Sequence, residues 1–407
     1  KDLSNKLGNT SQVSVFKRFG TAMFKYNNIE LEFVGARKES YSEDSRKPHV
    51  EDGTLEDDQK RRDFTINTLA ISMNKDTFGE LLDPFNGVED LENKILRTPL
   101  EPNVTYSDDP LRMMRAIRFA AQLGFEIEEA SFQAIIDNAD RINIVSFERV
   151  MDEFQKIMMT DKPSVGLLLL EQSGLLQHIL PELIALKGIE EVEGQKHKDN
   201  FYHTLEVVDN ISVNTDNVWL RWAALLHDIG KAVTKRFDKK VGWTFHSHEF
   251  VGAKMVVKLF RRLKLPLGNQ MKYVQKLVMM SSRPIAVVTD DATDSALRRL
   301  LFDAGEDFDD LITLCKADIT TKNEKKQRRF KQNFEVVEQK IKDVEEREHL
   351  SNFQPLISGE KIMELFYIKT GKEIGILKNA IKEAILEGEV ENNYNSALEF
   401  VINIGKD

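Results

Sequence analysis

Ser107 to Phe119 reads Ser-Asp-Asp-Pro-Leu-Arg-Met-Met-Arg-Ala-Ile-Arg-Phe, and it constrains the chain more than any other stretch. Pro110 suits the first turn of a helix, where a missing N–H costs nothing, and Ser107, Asp108 or Asp109 can cap it. Gly124 supplies the stop. Leu111, Met114, Ile117 and Ala121 recur at helical spacing and predict one buried face. Arg112, Arg115 and Arg118 recur every third residue on a neighbouring face, over about 9 Å of axis. Such a helix can be a capped, solvated amphipathic element and nothing more. The chemical alternative is that a planar guanidinium fork beside a carboxylate addresses the hydrogen-bonding edge of a nucleobase, while further arginines take phosphates.

The bulk properties permit that chemistry. A chain of 407 residues is long enough for two to four domains with a proper core. Its single cysteine, Cys315, excludes an internal disulfide framework and fits a reducing compartment, so a cytoplasmic setting is expected. No apolar run reaches membrane-spanning length, no signal-peptide pattern opens the chain, and nothing calls for an obligate protein partner. The net charge of −10 excludes a surface coated in positive charge, but a nucleic acid needs only local basic patches. These occur at Lys60-Arg61-Arg62, in the 112/115/118 stripe, at 235–240, at 261–264 and at 325–331. Any one of these runs can equally be a solvated helix face.

Residues 13–34 read as a hairpin. Ala22, Phe24 and Tyr26 alternate, Asn27-Asn28 supplies the turn, and Ile29, Leu31 and Phe33 alternate on the return, which places Glu30 and Glu32 together on the other face. The polar stretch 38–52 reads as a mobile loop. Thr54 to Asp57 has the form of a capping box. The helix it starts is expected to carry Arg61, Arg62 and Asp63 and to continue through Ala70. Asp83 to Gly87 reads as a turn and Ile95 to Thr98 as a short strand. From residue 107 the pattern is almost wholly helical. Gly188 to Gly194 marks a break, Trp243-Thr244-Phe245 a β-like excursion, 322–349 a charged helix and Asn352 to Pro355 a further break.

Three motifs then occur in order: Arg61-Arg62-Asp63-Phe64-Thr65-Ile66-Asn67, Asp83-Pro84-Phe85-Asn86-Gly87-Val88-Glu89-Asp90-Leu91 and Asp108-Asp109-Pro110-Leu111-Arg112-Met113-Met114-Arg115. Together they resemble the class II tRNA nucleotidyltransferases, the CCA-adding enzymes, whose close relatives are bacterial poly(A) polymerases. The tail joins the resemblance through Ile357-Ser358-Gly359-Glu360 and Gly371 to Gly375.

The fold this implies is an α+β N-terminal remnant of a polymerase-β-like palm over 1–98. An all-α neck over 99–190, an HD domain over 191–335 and a helical, tRNA-binding tail over 336–407 would follow. The implied reaction adds C and A to the tRNA 3′ end from CTP and ATP with Mg²⁺, the base being chosen by protein side chains. A poly(A) polymerase and a metal-dependent HD phosphohydrolase are the alternatives. Carried over by position, Arg62 resembles the triphosphate-contacting arginine, Asp63 lies beside the sugar, and Asp109 with Arg112 resembles the base-reading pair. Arg115 and Arg118 match further nucleotide-contacting arginines. Asp108 stands where glutamate is common, which points to capping. Arg149 and Glu153 resemble an ion pair that positions the neck.

In this family two metal-binding aspartates separated by one residue lie on a strand beside a glycine-rich loop, ahead of the helix that Lys1 to Leu7 continues. Neither element is in this sequence; if the chain starts at Lys1 it is expected to bind nucleotide weakly and transfer none, whereas a chain that carries the front part is expected to be active. Glu32 resembles the third, catalytic, acidic residue.

A second set follows the order of the HD phosphohydrolase superfamily: His203, His227, Asp228 and Asp318, with His246 or His248 between and His248 preferred. Imidazole and carboxylate donors suit a divalent metal. Adjacent His227 and Asp228 point in different directions on a helix, so both can chelate only near its end, which Ile229-Gly230-Lys231 supplies.

Overall fold

In a computed structural model of the chain, residues 5–6, 13–16, 20–42, 45–289, 293–321, 323–348, 357–368 and 371–405 are described. They form two compact units: Lys1–Phe154 with Leu168–His178, and Gln155–Leu167 with Ile179–Asp407. The continuing helix expected at Lys1 to Leu7, apart from Asn5 and Lys6, and the break expected at Asn352 to Pro355 lie outside the described residues.

The first unit opens with a three-stranded antiparallel sheet, Ser14–Phe16, Thr21–Tyr26 and Ile29–Val34. Asn27 and Asn28 both take positive φ, 46° and 63°. That is the left-handed pair a two-residue hairpin turn requires. The expected hairpin is therefore present, with Phe24 opposite Leu31 and Met23 opposite Glu32.

Two expectations are overturned next. The stretch read as a loop at 38–52 is a second hairpin, Arg37–Ser42 paired with Ser45–Asp52. Its register sets Arg37 opposite Asp52 and Lys38 opposite Glu51. Cross-strand charge pairs, not an apolar alternation, mark these strands, and a hydrophobic pattern search passes over them. The helix from Thr54 has its reciprocal capping box but stops at Lys60, with Arg61 as its C-cap. Beyond it the chain turns through a single 3₁₀ turn, Thr65–Asn67, into the two-residue strand Ala70–Ile71. Tertiary bonds replace the helical ones. Thr65 N donates to Arg97 O at 2.8 Å, and Thr65 Oγ1 to the buried Asp90 carboxylate at 2.7 Å. Gly87 permits this closeness: a Cβ there would lie 2.4 Å from the Thr65 carbonyl oxygen.

The Leu111–Leu123 helix forms as expected and ends at Gly124 with φ 67°. A separate helix, Pro102–Asp108, precedes it. No side chain caps the Leu111–Leu123 helix at Pro110, but the Asp109 carboxylate accepts from Leu111 N at 3.3 Å. Asp108, expected to cap, instead closes the preceding helix. The buried face is broader than the expected stripe, since Met113, Ala116 and Ala120 join Leu111, Met114 and Ile117 in the core. Phe64 is fully buried and meets Phe119 edge-on at 5.7 Å.

The second unit is a helical assembly. Asn200–Ser212, Val218–Leu226, His248–Arg262, Asn269–Met280 and Phe308–Asp318 pack around Phe201, Trp222 and Phe260. The buried Arg221 donates to the carbonyls of Met158, Thr160, Ser212 and Thr215, which satisfies the ends of neighbouring segments. The β-like excursion is the hairpin Arg236–Asp238 with Gly242–Thr244. The charged helix spans Glu324–Glu348, and three helices, Gly359–Phe366, Lys372–Glu387 and Tyr394–Ile404, form the tail. Among the described residues no helix is long and apolar enough to cross a membrane.

Candidate functional site

In the first unit two of the sequence motifs meet. Asp63 is 8% exposed. Its carboxylate accepts from Phe64 N at 3.0 Å and Asn67 Nδ2 at 2.9 Å, and from Arg115 Nε at 2.7 Å. Arg112 Nη2 donates to the Arg61 carbonyl at 2.6 Å. The stretch after the capping-box helix is thus tied to one face of the Leu111–Leu123 helix at two points. Arg62 pairs with Asp58 through Nε at 3.2 Å and Nη2 at 2.8 Å. Burial works against the charge on Asp58, but the Arg62 and Arg61 guanidiniums outweigh it and lower its pKa. The Arg62 side chain keeps 44% of its surface exposed. Asp109 is half-buried between Asp108 and Pro110, and burial raises the pKa of Asp108 despite the facing charges of Arg112 and Arg141.

Arg118 lies apart from this face. It is 8% exposed, donates to Glu153 Oε2 at 2.6 Å and to Gln122 Oε1 at 2.9 Å, and lies 3.7 Å over the Phe119 ring. The ion pair expected of Glu153 with Arg149 is thus made with Arg118, while Arg149 is exposed. Along the stripe, one arginine holds a carbonyl, one holds Asp63 and one holds Glu153. Glu32 stands exposed on its strand, and no hydrogen bond or ion pair among the described residues links it to the arginines. Sequence reasoning missed Asp58. Its signal was its place four residues before Arg62 on a capped helix.

The second unit gathers the histidine–aspartate set. His203 comes from the Asn200–Ser212 helix, His227 and Asp228 from the end of Val218–Leu226, His248 from the first residue of its helix, and Asp318 from the last residue of its own. His203 Nε2 is 2.8 Å from Asp318 Oδ1, His227 Nε2 3.5 Å from the same oxygen and 3.3 Å from Asp228 Oδ2, and His248 Nε2 3.4 Å from Asp228 Oδ1. His246, the other histidine considered, is exposed. Gly230 lets the elements close: a Cβ there would lie 2.1 Å from the His248 carbonyl oxygen.

These residues fit a divalent metal. His227 is 2% exposed, and its Nε2 has no hydrogen-bond partner although it faces two carboxylates. Its Nδ1–H is engaged by the Ala224 carbonyl at 2.7 Å, which turns Nε2 toward the cluster. Atoms of His203, His227 and Asp318 lie within 4.8 Å of one another. Burial lowers the pKa of His227, but the Asp228 and Asp318 carboxylates more than offset this and raise it to about 10. The same contacts hold Asp228 and Asp318 below the usual carboxylate range. Two lysines flank the set. Lys231 Nζ is 2.6 Å from Asp228 Oδ2, and Lys198 Nζ is 2.8 Å from His203 Nδ1. Neither lysine was singled out in the sequence, and Lys231 was legible only as part of Ile229-Gly230-Lys231.

Comparison with known proteins bears on both sites. Family models match at residues 1–97 (poly A polymerase head domain), 124–187 (probable RNA- and SrmB-binding site of polymerase A) and 200–304 (HD domain). The A-adding tRNA nucleotidyltransferase of Deinococcus radiodurans is 34% identical over 347 residues, which cover 83% of this chain and 76% of that protein. The chain belongs to the tRNA nucleotidyltransferase family. The multifunctional CCA protein of Vibrio parahaemolyticus, another member, is 34% identical over 65% of each chain. Among solved structures, the Bacillus stearothermophilus CCA-adding enzyme in complex with CTP aligns with a TM-score of 0.61 at 23% identity, over 97% of this chain and 85% of that one. The Thermotoga maritima CCA-adding enzyme complexed with tRNA aligns with a TM-score of 0.56 at 19% identity, over 99% and 83%. At those identities the likeness is one of fold, and it is the fold expected: a mixed nucleotidyltransferase head, an HD domain and a helical tail. Members of the family are enzymes, and its nucleotidyltransferase and HD domains generally depend on divalent metals. Asp318 lies outside the matched HD segment, yet the fold returns it to His203.

Proposed function

We propose that this chain selects the base and holds the tRNA in the addition of C and A to the tRNA 3′ end from CTP and ATP, with Mg²⁺ as the metal of transfer. The observation that carries the reading is the coupling of the two motifs, Arg112 to the Arg61 carbonyl and Arg115 to Asp63. It sets Arg62 beside the face that bears Asp109 and Arg112. On this reading Arg62 takes the triphosphate, and Asp109 and Arg112 offer an acceptor and a donor fork to the base edge. Cytosine and adenine satisfy such a pair, whereas guanine and uracil present other patterns. Arg115 acts through Asp63, Arg118 through Glu153, and Glu32 is assigned to the metal-binding edge. The tail and the basic runs hold tRNA by shape and backbone. A cytoplasmic setting accords with the single, buried cysteine.

The test is nucleotide binding by the chain. CTP and ATP should bind more tightly than GTP and UTP, and Arg112→Ala should abolish the difference. Equal affinity for all four overturns base selection. Supplied to a tRNA that lacks its end, CTP and ATP should both be incorporated by the active enzyme, whereas incorporation of A alone favours poly(A) polymerase. The unpartnered His227 Nε2 favours a second activity, metal-dependent phosphoester hydrolysis at the HD centre. His227→Ala should remove that activity and leave nucleotide binding intact.

A further inference from the structure

Asp109 and Arg112 stand on either side of Pro110, where the Pro102–Asp108 helix meets the Leu111–Leu123 helix. The backbone at Asp109 is extended, with φ −132° and ψ 95°, so no helical repeat sets the distance from its carboxylate to the Arg112 guanidinium. The joint between the helices sets it. In a continuous helix the Leu111 N–H would bond the Ser107 carbonyl. Here that N–H donates to the Asp109 carboxylate at 3.3 Å, and the Arg112 N–H donates to the Asp109 carbonyl at 2.9 Å. The Ser107 carbonyl instead accepts from Arg141, from Nε at 3.2 Å and from Nη2 at 2.9 Å. Arg141 is half-buried and comes from the 3₁₀ segment Ala139–Ile144, which Ala139 and Ile142 anchor in the core. Its guanidinium also faces Asp108.

We propose that Arg141 is a positioning residue for base selection: by holding the Ser107 carbonyl it keeps the two helices from running together, and so fixes Asp109 and Arg112 at the separation a base edge requires. An exchange of partners is the device. While Arg141 occupies the carbonyl, the Leu111 N–H is left to the Asp109 carboxylate and orients it. Without Arg141 the carbonyl is an orphan acceptor at a helix end, and the N–H that helical geometry offers it is that of Leu111. Leu111 would then let go of the Asp109 carboxylate. Arg112 is tied separately, to the Arg61 carbonyl, so the carboxylate would shift while the fork stayed. A guanidinium suits this task, because Nε and Nη2 reach one oxygen together and fix its place as a single donor does not. Arg141 acts through Asp109 and need not touch the nucleotide. A second tie on the same helix supplies the contrast: Asn138 Nδ2 donates to Asn103 Oδ1 at 2.9 Å, in the first turn of Pro102–Asp108 and away from the joint.

This inference rests on the reading of Asp109 and Arg112 as the base-selecting pair, and the experiment separates the two. CTP and UTP affinities of the full chain are measured by competition, and hydrogen exchange over residues 107–112 is followed on the same samples by mass spectrometry. Arg141→Met keeps the apolar stem and removes the donors, so the fold is retained. It should lower the preference for CTP over UTP about tenfold, the scale on which a misplaced bidentate partner acts, and speed exchange over 107–112. Arg141→Lys, which keeps one donor for the carbonyl, should recover part of both. Asn138→Ala, which cuts the other tie on the helix, should leave both unchanged. An undiminished preference in Arg141→Met overturns the proposal. So does an equal loss in Asn138→Ala, because the preference would then follow the stability of the helix and not the joint. If the unaltered chain binds CTP and UTP alike while Arg141→Met still speeds exchange over 107–112, the clamp on the joint stands and the base-selecting reading falls.

Discussion

Arg118 and Arg112 look equivalent along a helix, yet they have different physical fates. Arg118 is buried against Glu153, and removing the guanidinium takes a short ion pair away from a buried carboxylate. Arg118→Ala should therefore lower unfolding free energy by about 3–5 kcal/mol in urea titrations. Arg112 is only half-buried, and its exchange should act on selectivity. Arg112→Lys retains the charge but loses the fork. On the proposed function it should bind CTP nearly as before while losing roughly tenfold or more of the discrimination against UTP, measured by competition. Asp58 gives a pH signature. Its pKa is lowered from 3.8 in the folded state, so its contribution is fully present above the unfolded value and is lost as pH falls through the folded one. Stability curves of the unaltered chain and Asp58→Asn should lie apart at neutral pH and draw together as pH falls below 3.8.

At the scale of elements, the sequence announced those helices whose signals are local. The capping box at Thr54, the Gly124 stop and the turn at Asn27-Asn28 all stand where local chemistry put them, and the helix before His227 ends at Leu226, a few residues ahead of Gly230. The failures share one cause. The strands at Arg37–Ser42 and Ser45–Asp52 are specified by charges facing across the pair, and the break after Lys60 by bonds to Arg97 and Asp90, which lie about thirty residues on. Gly230 shows the same dependence on distant chain. Its φ of −73° suits any residue, so its need for a bare Cα is invisible in local conformation and comes only from the His248 carbonyl. Gly230→Ala should lower the melting temperature by several degrees and weaken Mn²⁺ binding, because the element carrying His248 must move. Calorimetry and metal titration on one sample would show both.

At the scale of the whole molecule, a net charge of −10 means that a polyanion is repelled on average and held only where cations cluster. Under the proposed function, tRNA affinity should be steeply salt-dependent. With about five phosphates neutralised, it should fall several-hundred-fold between roughly 50 and 200 mM salt, whatever the base sequence of the tRNA body. A flat response in filter-binding or anisotropy titrations would remove the basic runs from the account.

Sequence alone named the arginine stripe and the histidine–aspartate set as candidates, because a nucleobase edge and a divalent cation each demand particular donor and acceptor types, but it passed over Asp58 and Lys198. It also determined which helices start and stop, since caps and glycine stops act within a few residues. Only the tertiary structure decided which arginine stays half-exposed and which is a buried tie, that Glu153 answers Arg118, and that Lys198 sits on the far nitrogen of His203. Those outcomes depend on burial and on contacts between residues far apart in the chain, which spacing does not encode.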